Sequence, residues 1–289
     1  MRKILVIGST GQLGNELKVI SELNKNYQFE FLERNQLDLS SASGVDNYFL
    51  QNNHTNIHAI INAAAYTAVD KAENDFQNAY QINVMSVKKM ANFAKSIGAK
   101  FIHVSTDFVF DGKSSHPYSE DDKKNPISVY GKTKSEGEDL VIATDPNFLV
   151  IRTSWVYSRF GKNFFNTIIR LARERSELGI VDDQIGTPTL AYDLAQVCLE
   201  GAVSEKSGIF HFSNEGVASW YDFASEIVCS FGFDCNVKPI STEDYPTDAK
   251  RPAYSVLSKK KFRNGFAYKN LHWKERLRSL VTEIKSNSI

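Results

Sequence analysis

The chain has 289 residues, 42% of them hydrophobic and 24% charged, the proportions of a globular protein long enough for one large domain or two modest ones. Lys plus Arg and Asp plus Glu each number 34, so no net field draws nucleic acid or an acidic membrane. Three cysteines (Cys198, Cys229, Cys235) are too few and too scattered for a disulfide framework or a zinc site, which suits a reducing cytoplasm.

Met1-Arg2-Lys3 and the apolar run Ile4–Ile7 superficially resemble a signal peptide. The run ends at Gly8, far short of a signal core or a membrane span, and reads as a first strand. Further apolar runs at Phe29–Leu32, Ala59–Ile61, Phe101–Val104 and Phe148–Ile151, separated by amphipathic stretches, predict a parallel sheet with helices on both faces. The longest helix is expected from Asp75 to Ser96, with Ala79, Ile82, Val87, Met90 and Phe93 on one side and Gly98 as its stop. Past Ile151 aromatic residues become frequent and the alternation breaks. A strand near Ile180-Val181 and a helix over Ala191–Ala202 are expected to extend the sheet. Isolated strands (Ile209–Phe212, Val237–Ile240) and helices (Trp220–Phe231, Trp273–Ile284) then read as a smaller lobe. The cluster Lys259-Lys260-Lys261 reads as a solvated helix face. The expectation is an α/β, Rossmann-type doubly wound parallel sheet over residues 1–152, completed by a strand and helix within 178–203. A smaller α+β substrate lobe is expected over residues 153–289.

After the first strand come Gly8-Ser9-Thr10-Gly11-Gln12-Leu13-Gly14 and an amphipathic helix through Leu17 and Ile20. A strand, a glycine turn and a helix start can hold a pyrophosphate: glycines let the backbone approach, and the helix N-terminus supplies free N–H groups and partial positive charge. Ribose recognition is expected about twenty residues on, where Glu33 favours the free 2′-hydroxyl of NAD and Arg34 the 2′-phosphate of NADP. Both are present, so either NADP(H) or NAD(H) fits, with NADPH preferred. Asp38-Leu39 lies where adenine would sit. The small residues of Asn62-Ala63-Ala64-Ala65-Tyr66 leave room for a cofactor across the strand ends, and equally suit close helix packing.

Reducing a ketone needs a hydride and a proton for the developing alkoxide. A tyrosine with a lysine four residues on, on the same helical face, can supply the proton, because an ammonium lowers the phenol's ordinary pKa of about 10. Of twelve tyrosines only Tyr130 has this partner, Lys134. The fourth strand ends in Val104-Ser105-Thr106-Asp107, where the Thr106 hydroxyl could donate to a substrate carbonyl oxygen or simply cap a turn.

Together these residues resemble the extended short-chain dehydrogenase/reductase family, and within it the branch that reduces the 4-keto group of a dTDP-deoxysugar. The resemblance runs through most of the chain. It is carried by Gly8–Gly14, Leu37-Asp38-Leu39, Asn62–Asp70, Ser105–Phe110, Tyr130–Lys134, Arg152–Tyr157, Asp183–Thr189 and Arg251-Pro252. It implies conversion of dTDP-4-dehydro-β-L-rhamnose to dTDP-L-rhamnose by a cytoplasmic enzyme whose partner is a nucleotide-sugar, with no nucleic acid or membrane. It implies that Gly11, Gln12 and Leu13 contact the cofactor pyrophosphate, Asp38 and Leu39 the adenine side, and that Ala65, Tyr66 and Thr67 line the groove. It further implies that Tyr130 gives the proton, that Lys134 binds the nicotinamide ribose and tunes Tyr130, and that Thr106 and Asp107 meet the sugar. Trp155 would help hold the nucleotide-sugar and Arg251 its pyrophosphate. Phe108 stands where relatives often carry Tyr. Some relatives form Mg²⁺-bridged dimers through surface glutamates. Here one is retained as Glu16, taken as a first-turn carboxylate, and the other falls on Tyr192, a poor Mg²⁺ ligand. A monomer, or a dimer without a metal bridge, is expected. An epimerase or dehydratase on the same fold and a non-catalytic relative are the alternatives; Phe108 in place of a Glu after Thr106-Asp107 counts against dehydration.

Overall fold

The computed structural model describes residues 2–51, 56–145 and 147–286. Strand β1 (Lys3–Ile7) leads through the glycine turn into α1 (Gln12–Leu23), followed by β2 (Gln28–Leu32), α2 (Ala42–Gln51) and β3 (Ile57–Asn62). Two short helices, α3 (Val69–Ala72) and α4 (Phe76–Tyr80), run through a π-helical turn (Gln81–Met85) into α5 (Ser86–Ser96). Then come β4 (Lys100–Thr106), a 3₁₀ turn (Asp107–Val109), α6 (Val129–Thr144) and β5 (Phe148–Thr153). The remainder holds β6 (Val156–Tyr157), α7 (Phe164–Glu174), β7 (Glu177–Val181), β8 (Ile185–Gly186), β9 (Thr189–Leu190) and α8 (Ala191–Val203). It continues through β10 (Gly208–His211), β11 (Ala218–Ser219), α9 (Trp220–Phe231), β12 (Asn236–Ile240), α10 (Lys260–Gly265) and α11 (Trp273–Ser286).

Six parallel strands form the main sheet in the order β10-β5-β4-β3-β1-β2. Alternate side chains of each strand face opposite layers, which is why the strands read as unbroken apolar runs. Ile4, Val6, Ile61, Ile102, Leu149 and Ile151 pack under α1 and α8, while Leu5, Ile7, Ile60, Phe101 and Val150 pack under α2, α5 and α6. The chain reverses direction across the sheet between β1 and β3. That switch point opens a crevice at the strands' carboxyl ends, where the glycine turn lies.

The expected strand at Ile180-Val181 forms as β7 but leaves the main sheet, pairing instead with β12. Its alternating exposure is that of a half-covered strand, whereas the edge of the main sheet is taken by β10, beyond residue 203. Helix α8 does cover the sheet, as expected of that stretch. The expected helix over 75–96 is interrupted by the π turn, which inserts an extra residue and re-aims Asn83. The lobe core gathers Tyr157, Phe165, Phe223, Trp273 and Leu277. Lys259 is buried, so only Lys260 and Lys261 form a solvated helix face. Among the described residues no helix is long and apolar enough to cross a membrane.

Candidate active site

Gly8 ends β1 at φ +88°, and a Cβ there would lie 2.7 Å from the Ala64 nitrogen, so the turn and the β3 end close on each other only with glycine. Gly14 passes over the Gly8 carbonyl, 2.4 Å from where its Cβ would stand. Gly11 differs. A Cβ there would meet only the Gly8 oxygen, at 3.4 Å, so its outer side faces open space. The first intrahelical bond of α1 runs from Asn15 N to Gly11 O, leaving the earlier N–H groups at the positive helix end. Among the described residues the buried Ser9 hydroxyl has no hydrogen-bond partner. An open cradle, free N–H groups and an orphaned hydroxyl fit a dinucleotide pyrophosphate.

Two expected contacts change character. Leu13 buries its side chain in the core, so what it offers is backbone. Gln12 reaches across to the lobe, its amide donating to Val156 O (3.3 Å) and accepting from Asn163 (2.9 Å). Past β2, Glu33 and Arg34 are both solvent-facing; Lys18 stands 3.6 Å from Glu33 and Asp38 3.5 Å from Arg34. Ser40 donates to Asp38 Oδ1 through its hydroxyl (2.7 Å) and its backbone (3.0 Å), holding that carboxyl below its ordinary pKa. Leu39 is buried under α2 and α5, so its side chain does not reach an adenine.

At the end of β3, Ala63 N donates to Ile7 O (2.9 Å), and Ala63 and Ala65 are half-buried. Tyr66 directs its hydroxyl to Asp75 (3.0 Å), and Thr67 is exposed. Asn83, from the π turn, accepts from Tyr66 N (2.9 Å) and donates to Thr133 of α6 (3.1 Å). It ties the groove to the Tyr130 helix, and a continuous-helix reading of its segment hid it.

Helix α6 starts at Ser128, whose hydroxyl accepts from Gly131 N (3.1 Å), while Val129 N donates to Glu73 (2.8 Å). This sets Tyr130 in the first turn, edge-on to Phe108 with ring centroids 5.7 Å apart. Burial pushes the Tyr130 phenol up to about 12; the neighbouring Thr106 hydroxyl draws it down and the Asp107 carboxylate raises it. Thr106 donates to Asp107 (3.0 Å) and accepts from Phe108 N (3.1 Å). Asp107 is itself buried, and burial pushes it up to about 6 against the bond from Thr106 and the nearby Ser255 hydroxyl. Lys134 is buried one turn past Tyr130, donating to Val104 O (2.7 Å) with His103 Nε2 at 3.3 Å. Burial lowers it to about 8, opposed by Glu138. The expectation that Lys134 depresses the phenol is therefore corrected for this state: the lysine is engaged by β4, and burial dominates Tyr130. A phenol held protonated beside a hydroxyl is set up to give a proton rather than to take one.

Trp155 sits at φ +48°, a conformation rare outside glycine, packed close to Gly186 and stacked on Trp220 at 3.5 Å between centroids. Trp220, missed in the sequence, is held by Gln184 (3.2 Å). Arg251, expected to meet a pyrophosphate, here forms a partly exposed bidentate pair with Asp70 (2.9 and 2.8 Å). Glu16 lies past the first turn of α1, 2% exposed, with its carboxyl raised by burial against the nearby Ser158 hydroxyl, which corrects the first-turn reading. Tyr192 accepts from Gln196 (3.0 Å).

A family model described as the RmlD substrate binding domain matches residues 1–286. The chain is 40% identical over 292 residues to a dTDP-4-dehydrorhamnose reductase of Aggregatibacter actinomycetemcomitans, covering 97% of this chain and 98% of the relative. It is 39% identical over 287 residues to the spore coat polysaccharide biosynthesis protein SpsK of Bacillus subtilis, covering 99% of each. A dTDP-4-dehydrorhamnose reductase from Bacillus anthracis, solved in complex with NADP, matches with a TM-score of 0.91 at 36% identity, covering 98% of this chain and 100% of that one. With every described residue inside the family match, the chain belongs to the RmlD substrate binding domain family.

Proposed function

We propose that this chain is an NAD(P)H-dependent reductase of the 4-keto group of a dTDP-deoxysugar, converting dTDP-4-dehydro-β-L-rhamnose to dTDP-L-rhamnose in the cytoplasm. The observation that carries the reading is an open glycine cradle at the sheet's switch point together with Tyr130 and Lys134 one turn apart on α6, Lys134 bonded to the β4 end. Near-full-length similarity to reductases of that name supplies the substrate class. Bound along the strand ends, the nicotinamide cofactor supplies the hydride. Gly8, Gly11, Gly14 and the backbone of Gln12 and Leu13 hold its pyrophosphate, Ala63, Ala65, Tyr66 and Thr67 line its path, and Glu33, Arg34 and Asp38 face its adenosine end. Tyr130 gives its proton to the oxygen that gains charge, and Thr106 steadies that oxygen. Asp107 and Trp155 border the sugar-nucleotide, and Lys134 serves the ribose.

Arg34, next to a Glu33 that already faces Lys18 at 3.6 Å, favours NADPH over NADH, because a guanidinium can pair with a 2′-phosphate. A carboxylate as buried as Glu16 is not placed to bridge two chains through Mg²⁺, which supports a monomer or a metal-free dimer. The test is oxidation of added NADPH, followed by absorbance, with dTDP-4-dehydro-L-rhamnose and related keto-sugars. Turnover that needs no added reductant would assign the chain to epimerisation instead.

A further inference from the structure

The side chain of Gln12 spans the cleft between the glycine turn and the lobe. Gln12 opens α1, and its backbone N–H is among those free at the helix start, where the proposed cofactor's pyrophosphate is held. Its half-buried side chain turns the other way, donating to Val156 O (3.3 Å) and accepting from Asn163 Nδ2 (2.9 Å).

The direction of these bonds is fixed from the lobe. Asn163 Oδ1 accepts from Asn166 N (2.9 Å) as the cap of α7, so its NH₂ is the group that faces Gln12. The same NH₂ donates to Ser158 O and Phe160 O (2.8 and 3.1 Å). Gln12 therefore presents its oxygen to Asn163 and its own NH₂ to Val156 O, and both ends of the amide are used.

Val156 directly follows Trp155. Trp155 leaves the carboxyl end of β5 two residues past Thr153, the register partner of Thr106. Its φ of +48° is costly for a bulky side chain and persists where neighbours over-determine it. Gly186 gives the indole room, since a Cβ there would stand 2.6 Å from it, and Trp220 stacks against it. On the backbone, Thr189 N donates to Trp155 O (3.1 Å) and Gln12 holds the next carbonyl. Of these supports, Gln12 is the one that belongs to the glycine turn.

We propose that Gln12 is a positioning residue that couples the two halves of the site. Fixing the glycine turn on a pyrophosphate fixes the Val156 carbonyl, and with it the strained Trp155 beside which the nucleotide-sugar binds. This rests on the reading of Trp155 as a wall of the nucleotide-sugar site. Each ligand orders the same strut, so the second to bind meets it already ordered, and each tightens the other by the same factor.

ADP-ribose 2′-phosphate fills the cradle without a nicotinamide, and dTDP fills the nucleotide end without a sugar, so the two probes do not meet at the reacting centre. The chain has three tryptophans, which 5-fluorotryptophan labelling resolves as three ¹⁹F resonances, assigned by single Trp→Phe changes. Saturation with ADP-ribose 2′-phosphate should shift the Trp155 resonance and leave that of Trp273, in the lobe core, in place. The Trp155 shift should vanish in Gln12→Met, which keeps the side chain's length but none of its bonds. A Trp155 resonance unmoved in the wild-type chain, or moved equally in Gln12→Met, overturns the proposal. By calorimetry the same probe should tighten dTDP binding at least about fivefold in the wild type and by a factor near one in Gln12→Met. A dTDP affinity indifferent to the probe in the wild type, or a factor retained in the variant, overturns it as well. Where Gln12→Met does not fold, Asn163→Ser decides by the same readouts, since serine keeps the α7 cap and removes the amide that holds Gln12. A wild-type chain that shows the Trp155 shift but binds no dTDP sinks the functional reading alone.

Discussion

Gly131→Ala tests whether the Tyr130 helix is seated as tightly as the geometry requires. In an unconstrained helix this change stabilises by up to about 1 kcal/mol, because glycine has more backbone freedom to lose. Here the added Cβ would stand 2.2 Å from the Phe108 carbonyl oxygen and 3.0 Å from Pro126 Cβ. Ordinary contact begins near 3.4 Å, so the helix must retreat by about 1.2 Å from a backbone atom that cannot swing away. Overpacking on this scale costs about 1–3 kcal/mol, which outweighs the propensity gain, so the thermal midpoint should fall. The displaced residue adjoins Tyr130, and a misplacement of about 1 Å at a reacting group lowers turnover by roughly 10²-fold. Steady-state kinetics with NADPH and the keto-sugar, paired with a thermal melt, reads both effects. A variant more stable than wild type with kcat within about threefold would refute the reasoning.

Tyr130→Phe should leave cofactor binding nearly intact while kcat falls roughly 10²–10⁴-fold, checked by fluorescence titration of NADPH beside turnover. Asp107 has a folded pKa of about 6, raised from 3.8, so the folded state holds its proton more tightly. Stability should therefore fall by about 3 kcal/mol as pH rises from roughly 4 to 6, and urea melts of Asp107→Asn should lack that slope. The same variant removes the carboxylate that raises Tyr130, so its alkaline rate limb should move to lower pH. Glu138→Gln strips the buried Arg152 of its counter-charge and should cost about 3–5 kcal/mol by denaturant melt, with Glu138→Gln/Arg152→Met less damaged than the two single losses combined.

The main sheet was legible because strands buried on both faces write continuous apolar runs, as β1, β3, β4 and β5 do, while the half-exposed edge strand β2 still shows Phe29, Phe31 and Leu32 around Glu30. The sixth did not. Gly208–His211 follows a long helix and resembles any short lobe strand, while Ile180-Val181 has the apolar look of a central strand and is half-exposed. The π turn escaped notice because Ala79, Val87 and Met90 keep a helical spacing on either side of it. Tyr130 and Lys134 were found by spacing along one helix. His103 and Glu138 were not singled out, since what makes them matter is a partner on another element, which a single sequence does not display.

Arg251 and Gln12 show what a motif leaves open. A guanidinium beside a proline and an amide in a glycine loop look like ligand contacts, yet here one binds Asp70, 181 positions away, and the other reaches Val156, 144 positions away. These contacts tie the strand-end loops of the main sheet to the lobe. Segments meeting across a polar cleft move relative to one another unless directional bonds fix them. The side chains that can recognise phosphate are also those able to span such a gap, because both tasks need long reach and several donors. A motif can therefore mark the cleft correctly while leaving open whether its residues face the ligand or the opposite wall.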